Sequence, residues 1–331
     1  MGHVHRRTAL ALGCAVALAR PALGQGGGAF PNRPIRAINP FAAGGSTDVQ
    51  MRSLCALASP KLGQPVVVEN RTGGGGFFGM LALVNESKPD GHLLSQVGTG
   101  TPARLMMAPQ APQAPQAPLD PMTDFTWVCG MVGYLFGVAV RADAPWATWR
   151  DLVAHARANP GRVNYGTPGV GTPPHFAMEV VAQREGLHWI HVPFRGGSEV
   201  HPAVLGGQIH VGVDSSTWAP LVEEGKMRLL VVFAAERARR YPGVPTLREE
   251  GVDLVTDGRY GLAAPPGLDR GVARILHAAF REALLDPAHL AVLERYGMAA
   301  LPKTPEDCAE DARQQRGADR ALLERLGLRL S

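Results

Sequence analysis

The sequence predicts an α/β protein built as two lobes. Short apolar runs alternate with stretches of helical period, glycine-rich turns separate them, and 331 residues at 45% hydrophobic and 19% charged are too many for one typical core.

Taken in order, Ile35 to Phe41 reads as a first strand stopped by Gly44-Gly45. Residues 47–58 place Val49, Leu54, Cys55, Leu57 and Ala58 at helical spacing. Val66 to Val68 is a second strand, ended by Asn70 and Gly73 to Gly76. Further strands are expected at 134–140, 163–166, 209–213 and 228–234. Near the end, Val272, Ile275, Leu276, Ala279, Phe280, Ala283 and Leu284 form one apolar helical stripe, and Asp286-Pro287 stops it. Ala108 to Pro118 repeats Pro-Gln-Ala, and its prolines remove the donors a helix or central strand needs. It is read as an exposed loop with no assigned function.

The N-terminus reads as an export signal, residues 1–24. His5-Arg6-Arg7 is basic, Thr8 to Ala19 is apolar, and Ala22-Leu23-Gly24 offers small residues to a signal peptidase. Export through the general secretory route to the periplasm is the reading adopted. A twin-arginine signal at Arg6-Arg7 and a lipoprotein box ending at Cys14 are the alternatives, and no lipid anchor is expected. Cleavage before Gln25 leaves 307 residues (331 less 24) and removes Arg6, Arg7 and Arg20 but no acid. The mature chain then has 30 basic residues (33 less three) against 29 acidic, which lacks the footprint of a nucleic-acid binder. Cys55, Cys129 and Cys308 are an odd number at wide spacing, so they read as buried small hydrophobes and not as a disulfide framework.

Four stretches carry a recognisable pattern. Arg33-Pro34-Ile35-Arg36 runs into Pro40-Phe41-Ala42-Ala43-Gly44-Gly45-Ser46-Thr47-Asp48. Val68-Glu69-Asn70-Arg71-Thr72 precedes Gly73 to Gly76 and then Lys88-Pro89-Asp90-Gly91. Tyr165-Gly166-Thr167-Pro168-Gly169-Val170-Gly171-Thr172 is followed by His175. His191-Val192-Pro193-Phe194-Arg195-Gly196-Gly197 leads to Leu205-Gly206-Gly207-Gln208 and Asp214, and Tyr241 to Thr246 follows. In this order they resemble the Bug-type receptors of the tripartite tricarboxylate transporter family. The resemblance implies a type II periplasmic binding-protein fold: lobe 1 from residues 25–133 and 256–331, lobe 2 from 134–255, with crossings near 131–140 and 250–262. It also implies a small carboxylate held between the lobes, membrane transporter subunits as partners, no catalysis and no cofactor.

The loops can do that chemistry. Pro40 to Asp48 is a strand-to-helix turn, which aims unpaired N–H groups and the positive end of a helix dipole at whatever sits above it. Phe41, Ala42, Ala43, Gly44 and Gly45 supply backbone, Ser46 and Thr47 supply hydroxyls, and Asp48 braces the loop or caps the helix. Gly169, Gly171 and Thr172 are expected to open a second-lobe helix whose amides face the same cleft, with Thr167 beside them. Asp214 closes an alternating strand, where it can accept a hydrogen bond from a ligand hydroxyl or amine. Thr99 and Thr101 are candidates for the ligand's distal end. His175 and Glu69-Asn70-Arg71 are read as structural, and Gly73 to Gly76 as a tight connection bordering the cleft.

Three departures from the family pattern bear on ligand identity: Ala43 stands where proline is usual, Phe194-Arg195 replaces Tyr-Lys, and Gly258 to Gly261 replaces a stretch that commonly carries tryptophan. An enzyme acting on small acids is the competing class, but no Gly-x-Ser-x-Gly elbow or HExxH occurs, and His188 and His191 face opposite sides of a strand. A ligand-loaded partner of a membrane sensor is the third.

Overall fold

The computed structural model describes residues 30–85, 88–100, 119–120, 123–256 and 258–326. The export signal, Thr101 and the Pro-Gln-Ala segment lie outside the described residues.

The chain opens with β1 (Ile35–Asn39), which ends before Pro40 and not at Phe41, because proline brings no N–H to the ladder. After the loop comes α1 (Ser46–Leu62), closed by Gly63 in the left-handed conformation. Then follow β2 (Val66–Asn70), a single 3-10 turn at Gly74–Gly76, α2 (Phe77–Asn85), β3 (Leu93–Gly98) and β4 (Thr126–Gly133). The chain next builds β5 (Phe136–Arg141) and α3 (Trp149–Ala158), which starts with a reciprocal Thr148–Asp151 capping box. β6 (Asn164–Thr167), α4 (Pro173–Glu185), β7 (Ile190–Pro193), α5 (Gly197–Leu205), β8 (Val211–Ser215), α6 (Ala219–Glu223) and β9 (Met227–Val232) complete that stretch. It ends with β10 (Arg259–Ala264), α7 (Arg270–Leu284), α8 (Pro287–Arg295), β11 (Ala299–Ala300) and α9 (Pro305–Leu326).

Two sheets result, and each makes a lobe. The first has the order β11-β4-β10-β3-β1-β2, with β1 parallel to both neighbours and β10 antiparallel to β3 and β4. The second has the order β7-β6-β8-β5-β9, with β6 parallel to β7 and β8, and β5 antiparallel to β8 and β9. The chain leaves the first sheet between Gly133 and Phe136 and re-enters it between Val232 and Arg259.

Packing explains where elements differ from the sequence reading. In α7, Leu276, Ala279, Phe280, Ala283 and Leu284 are buried and Asp269 caps the first turn, but Ile275 is 44% exposed at the edge of the stripe. β8 begins at Val211, two residues later than expected, so Asp214 lies inside the strand. His188 precedes β7 and is not on it.

The crossing between sheets is fastened to the first lobe by a buried polar triangle. Gln50 Nε2 on α1 donates to Gln96 Oε1 on β3 (2.7 Å) and to Tyr134 Oη (2.8 Å), while Tyr134 Oη donates to Gln96 Oε1 (3.0 Å). Tyr134 N–H donates to Gly258 O (3.0 Å), which ties the outgoing strand to the returning one.

Candidate ligand site between the lobes

The loop after β1 is held rigid by one carboxylate. Asp48 accepts from Gly44 N–H (3.0 Å), Asn70 Nδ2 (2.7 Å), Asn39 Nδ2 (3.3 Å) and Arg52 Nε (2.9 Å). Burial pushes the Asp48 carboxyl upward, but the bonds from Arg52, Gly44 and Asn70 outweigh it and hold it below its ordinary value. Asp48 is therefore the brace and not the cap: the cap position is Gly45. Asn70, also bonded to Phe41 O, does the bracing expected of Glu69-Asn70-Arg71.

From this loop several groups reach across to the second lobe. Ser46 Oγ lies 2.8 Å from Ser215 O and 2.9 Å from Ser215 Oγ, Ser46 N–H donates to Thr217 Oγ1 (3.1 Å), and Ala42 N–H donates to Arg195 O (3.0 Å). The lobes are thus closed on each other. Ser46, expected to offer its hydroxyl to a ligand, bridges the lobes instead. The N–H groups of Ala43, Gly45 and Thr47 have no acceptor among the described residues, and they sit at the positive end of the 17-residue α1.

A cavity of about 20 Å³, close to what one water needs, lies between the lobes. Phe41, Thr47 and Tyr260 line it from the first lobe, Tyr134 and Phe136 from the crossing, and Pro168, Thr172, Asp214 and Thr217 from the second lobe. Of the residues predicted from sequence, Phe41, Thr47, Thr172 and Asp214 therefore share one wall system. Others are engaged elsewhere. Thr99 is buried and uses its N–H and hydroxyl on Arg259 O (3.1 and 3.4 Å). Thr167 Oγ1 lies 2.7 Å from His191 Nε2 and accepts from Gly169 N–H (3.2 Å).

The second-lobe helix end differs from expectation in its donors. α4 starts with Pro173 and Pro174, neither of which carries an N–H. Gly171 N–H donates to His175 Nδ1 (3.1 Å), and Thr172 donates to Gly169 O from both its N–H (3.4 Å) and its hydroxyl (2.7 Å). The amides expected to aim at the cleft from this turn are mostly bonded within it. His175 stacks on His191 at 4.1 Å and is structural, with burial pushing it down to about 4. The helix end that meets the first loop is that of α5: a Cβ on Gly45 would stand 3.6 Å from Ser198 N.

Sequence reasoning placed Gly73 to Gly76 at the cleft border, and the backbones of the two lobes approach each other closely there. Gly75 has φ +63°, and a Cβ on it would fall 2.2 Å from Val170 O; a Cβ on Gly169 would fall 2.9 Å from Gly75 Cα. Tyr134, Phe136 and Tyr260 were not assigned to the site from sequence, since aromatic residues near strand ends read as core, and Thr217 carried no signal of its own. A larger groove of about 940 Å³ opens beside the hinge, but none of the predicted residues lines it. Of the four cations lining it among the described residues, Arg240, Arg259 and Lys303 are paired with Glu223 and Asp311, and Arg239 is the fourth.

Residues 51–328 match TctC, the tripartite tricarboxylate transporter family receptor. The chain belongs to this family. The receptor is 38% identical over 299 residues to the "UPF0065 protein in gbd 5'region" of Cupriavidus necator, covering 90% of this chain and 89% of that one. Its fold is similar to that of the periplasmic binding protein BugD, with a TM-score of 0.83 and 26% identity over 91% of this chain and 99% of that one. It is equally similar to MatC from Rhodopseudomonas palustris, solved with bound malate, at a TM-score of 0.81 and 26% identity over 89% and 100%. The receptor therefore has the two-lobed α/β fold of the periplasmic solute-binding proteins, and no helix among its described residues is long and apolar enough to cross a membrane.

Proposed function

We propose that this receptor captures a small organic acid between its lobes in the periplasm and presents the closed form to the membrane subunits of a tripartite tricarboxylate-type transporter. The observation that carries the reading is the cavity walled by both lobes and the crossing, into which the start of α1 projects Thr47. The family match, and malate in the related MatC, support a carboxylate as the guest.

The first carboxylate sits over the N-terminus of α1, where Ala43, Gly45 and Thr47 offer N–H groups and Thr47 a hydroxyl. Thr172, Gly169 and Gly171 shape the opposite wall, and Asp214 meets the remainder of the guest. Phe41, Ala42, Gly44, Ser46 and Asp48 hold the loop and its cross-lobe bonds. The cavity as closed is too small for a four-carbon acid, so the lobes part to admit it. Re-closing on the guest then couples binding to the hinge. The lobe limits follow the sheet changes, residues 25–133 and 256–331 against 134–255. Residues 1–24 direct export and are removed. The role is binding without turnover, a reading supported by the family match to a transporter receptor.

The test is a thermal-shift panel of small mono-, di- and tricarboxylates on the chain from Gln25, followed by native mass spectrometry of protein purified from its host. A retained acid and a concentration-dependent rise in Tm without product formation is the expected result. No stabilisation by any acid, or conversion of one, overturns the reading.

A further inference from the structure

Asp214 is 2% exposed and lines the cavity, yet its carboxylate is only half satisfied. Oδ1 accepts from Ser215 Oγ (3.3 Å), whereas Oδ2 has no hydrogen-bond donor among the described residues. His201 Nε2 stands 3.5 Å from Oδ2 without making a hydrogen bond to it; His201 is 1% exposed and neither of its ring nitrogens has a hydrogen-bond partner among the described residues.

The surroundings are shaped for this pair. A Cβ on Gly197, at the start of α5, would stand 1.7 Å from Asp214 Oδ2, so any side chain there would displace the carboxylate. The His201 ring, one turn further along α5, lies over Gly212, with ring atoms 3.0–3.1 Å from where a Cβ would stand. A buried carboxylate oxygen without a donor is costly unless a partner arrives, and a charged acceptor gains more from a hydrogen bond than a neutral one. Asp214 lines the space the guest enters, so a guest can bring that donor. A plain dicarboxylate brings none, and its second carboxylate meets Asp214 with like charge.

Resting on the carboxylate-receptor reading, we infer that Asp214 selects an acid that carries its own donor, a hydroxyl or ammonium group, over the same acid without one. His201 is the positioning residue: its ring fills the space beside Oδ2 and keeps the carboxylate turned toward the cavity.

The experiment is titration calorimetry on matched sets: malate, aspartate and succinate; 2-hydroxyglutarate, glutamate and glutarate; lactate, alanine and propionate. In at least one set the donor-bearing acid binds about 10- to 100-fold tighter than its unsubstituted analogue, the range expected for a hydrogen bond to a charged group. Hydroxyl and ammonium arms show which donor is preferred. Asp214→Ala brings the ratio to about one, and His201→Leu lowers it while leaving a folded protein by thermal melt. Equal affinity within every set for the wild-type protein overturns the selection by Asp214 but leaves the receptor reading standing. No binding of any acid overturns both. An unchanged ratio in Asp214→Ala removes this residue from recognition, and an unchanged ratio in His201→Leu removes the positioning role.

Discussion

Gly75→Ala offers a direct test of how the lobes close. The new Cβ would stand 2.2 Å from Val170 O, against a floor of 3.0 Å for real Cβ contacts, so the lobes must separate by about 0.8 Å, the difference between the two. That displacement stretches Ser46 Oγ–Ser215 O from 2.8 Å and Ala42 N–Arg195 O from 3.0 Å to beyond hydrogen-bonding range. Two such bonds at about 1 kcal/mol each, with part of the packing, amount to about 2–3 kcal/mol of closure energy, or roughly 30- to 150-fold in affinity. Backbone strain adds a separate cost, since alanine at φ +63° is disfavoured by about 1–2 kcal/mol. Gly63→Ala separates the two effects: its φ is +67° and nothing lies within 4 Å of the new Cβ. Calorimetry with the acid found for the wild-type protein, beside small-angle scattering of the loaded form, reads the outcome. Gly75→Ala should lose affinity and compactness, and Gly63→Ala only thermal stability. Binding by Gly75→Ala within twofold of wild type, with an unchanged loaded radius of gyration, would refute the steric account of closure.

Other perturbations follow from the same geometry. Asp48→Ala removes the acceptor for four donors and leaves buried Asn39 and half-buried Asn70 underpartnered, so urea unfolding should show a loss of about 3 kcal/mol; a change below 0.5 kcal/mol contradicts the bracing role. Burial pushes His175 and His289 down to about 4, below the ordinary value of about 6.5. Their folded-state pKa values are depressed and their native forms neutral. Stability is therefore fully present above pH 6.5 and falls toward pH 4 by about 3 kcal/mol per unit for the two together, measurable as urea midpoints from pH 7.5 to 4.5. A flat profile over that range would contradict the depressed pKa values of these rings. Burial raises the thiols of Cys55 and Cys308 to about 12 and that of Cys129 further, so iodoacetamide at pH 8 should label none of the three in the native chain from Gln25 and all three in urea.

Much of the fold was legible because strand ends carry chemical punctuation. The paired glycines mark the turn after β1, Asp286-Pro287 marks the end of α7, and the period of α7 is plain apart from Ile275, whereas the stop at Pro40, the Asp269 cap and the separate helix α8 went unread. The strand-to-helix turn of the first lobe was legible for the same reason, since a glycine turn before a helix commits N–H groups to one direction. In the second lobe the donors of Gly171 and Thr172 are used within their own turn, and Pro173 and Pro174 stood in the sequence to deny that helix its first donors. Ser46 and Gly75 could not be resolved from sequence, because their partners Ser215 and Val170 are brought near only by the meeting of two lobes. Tyr134, Phe136 and Tyr260 were hidden by their type: an aromatic ring at a strand end looks the same whether it faces core or cleft.

The polar triangle of Gln50, Gln96 and Tyr134 has a mechanical consequence. Tyr134 is anchored to the first lobe by its hydroxyl and to the returning strand by its N–H, so the two connecting strands are pinned together at one level. The lobes then swing like a door about that pin, with the twist absorbed beyond it at Leu135. A sliding motion, which needs the two connections to move independently, is denied by that pin.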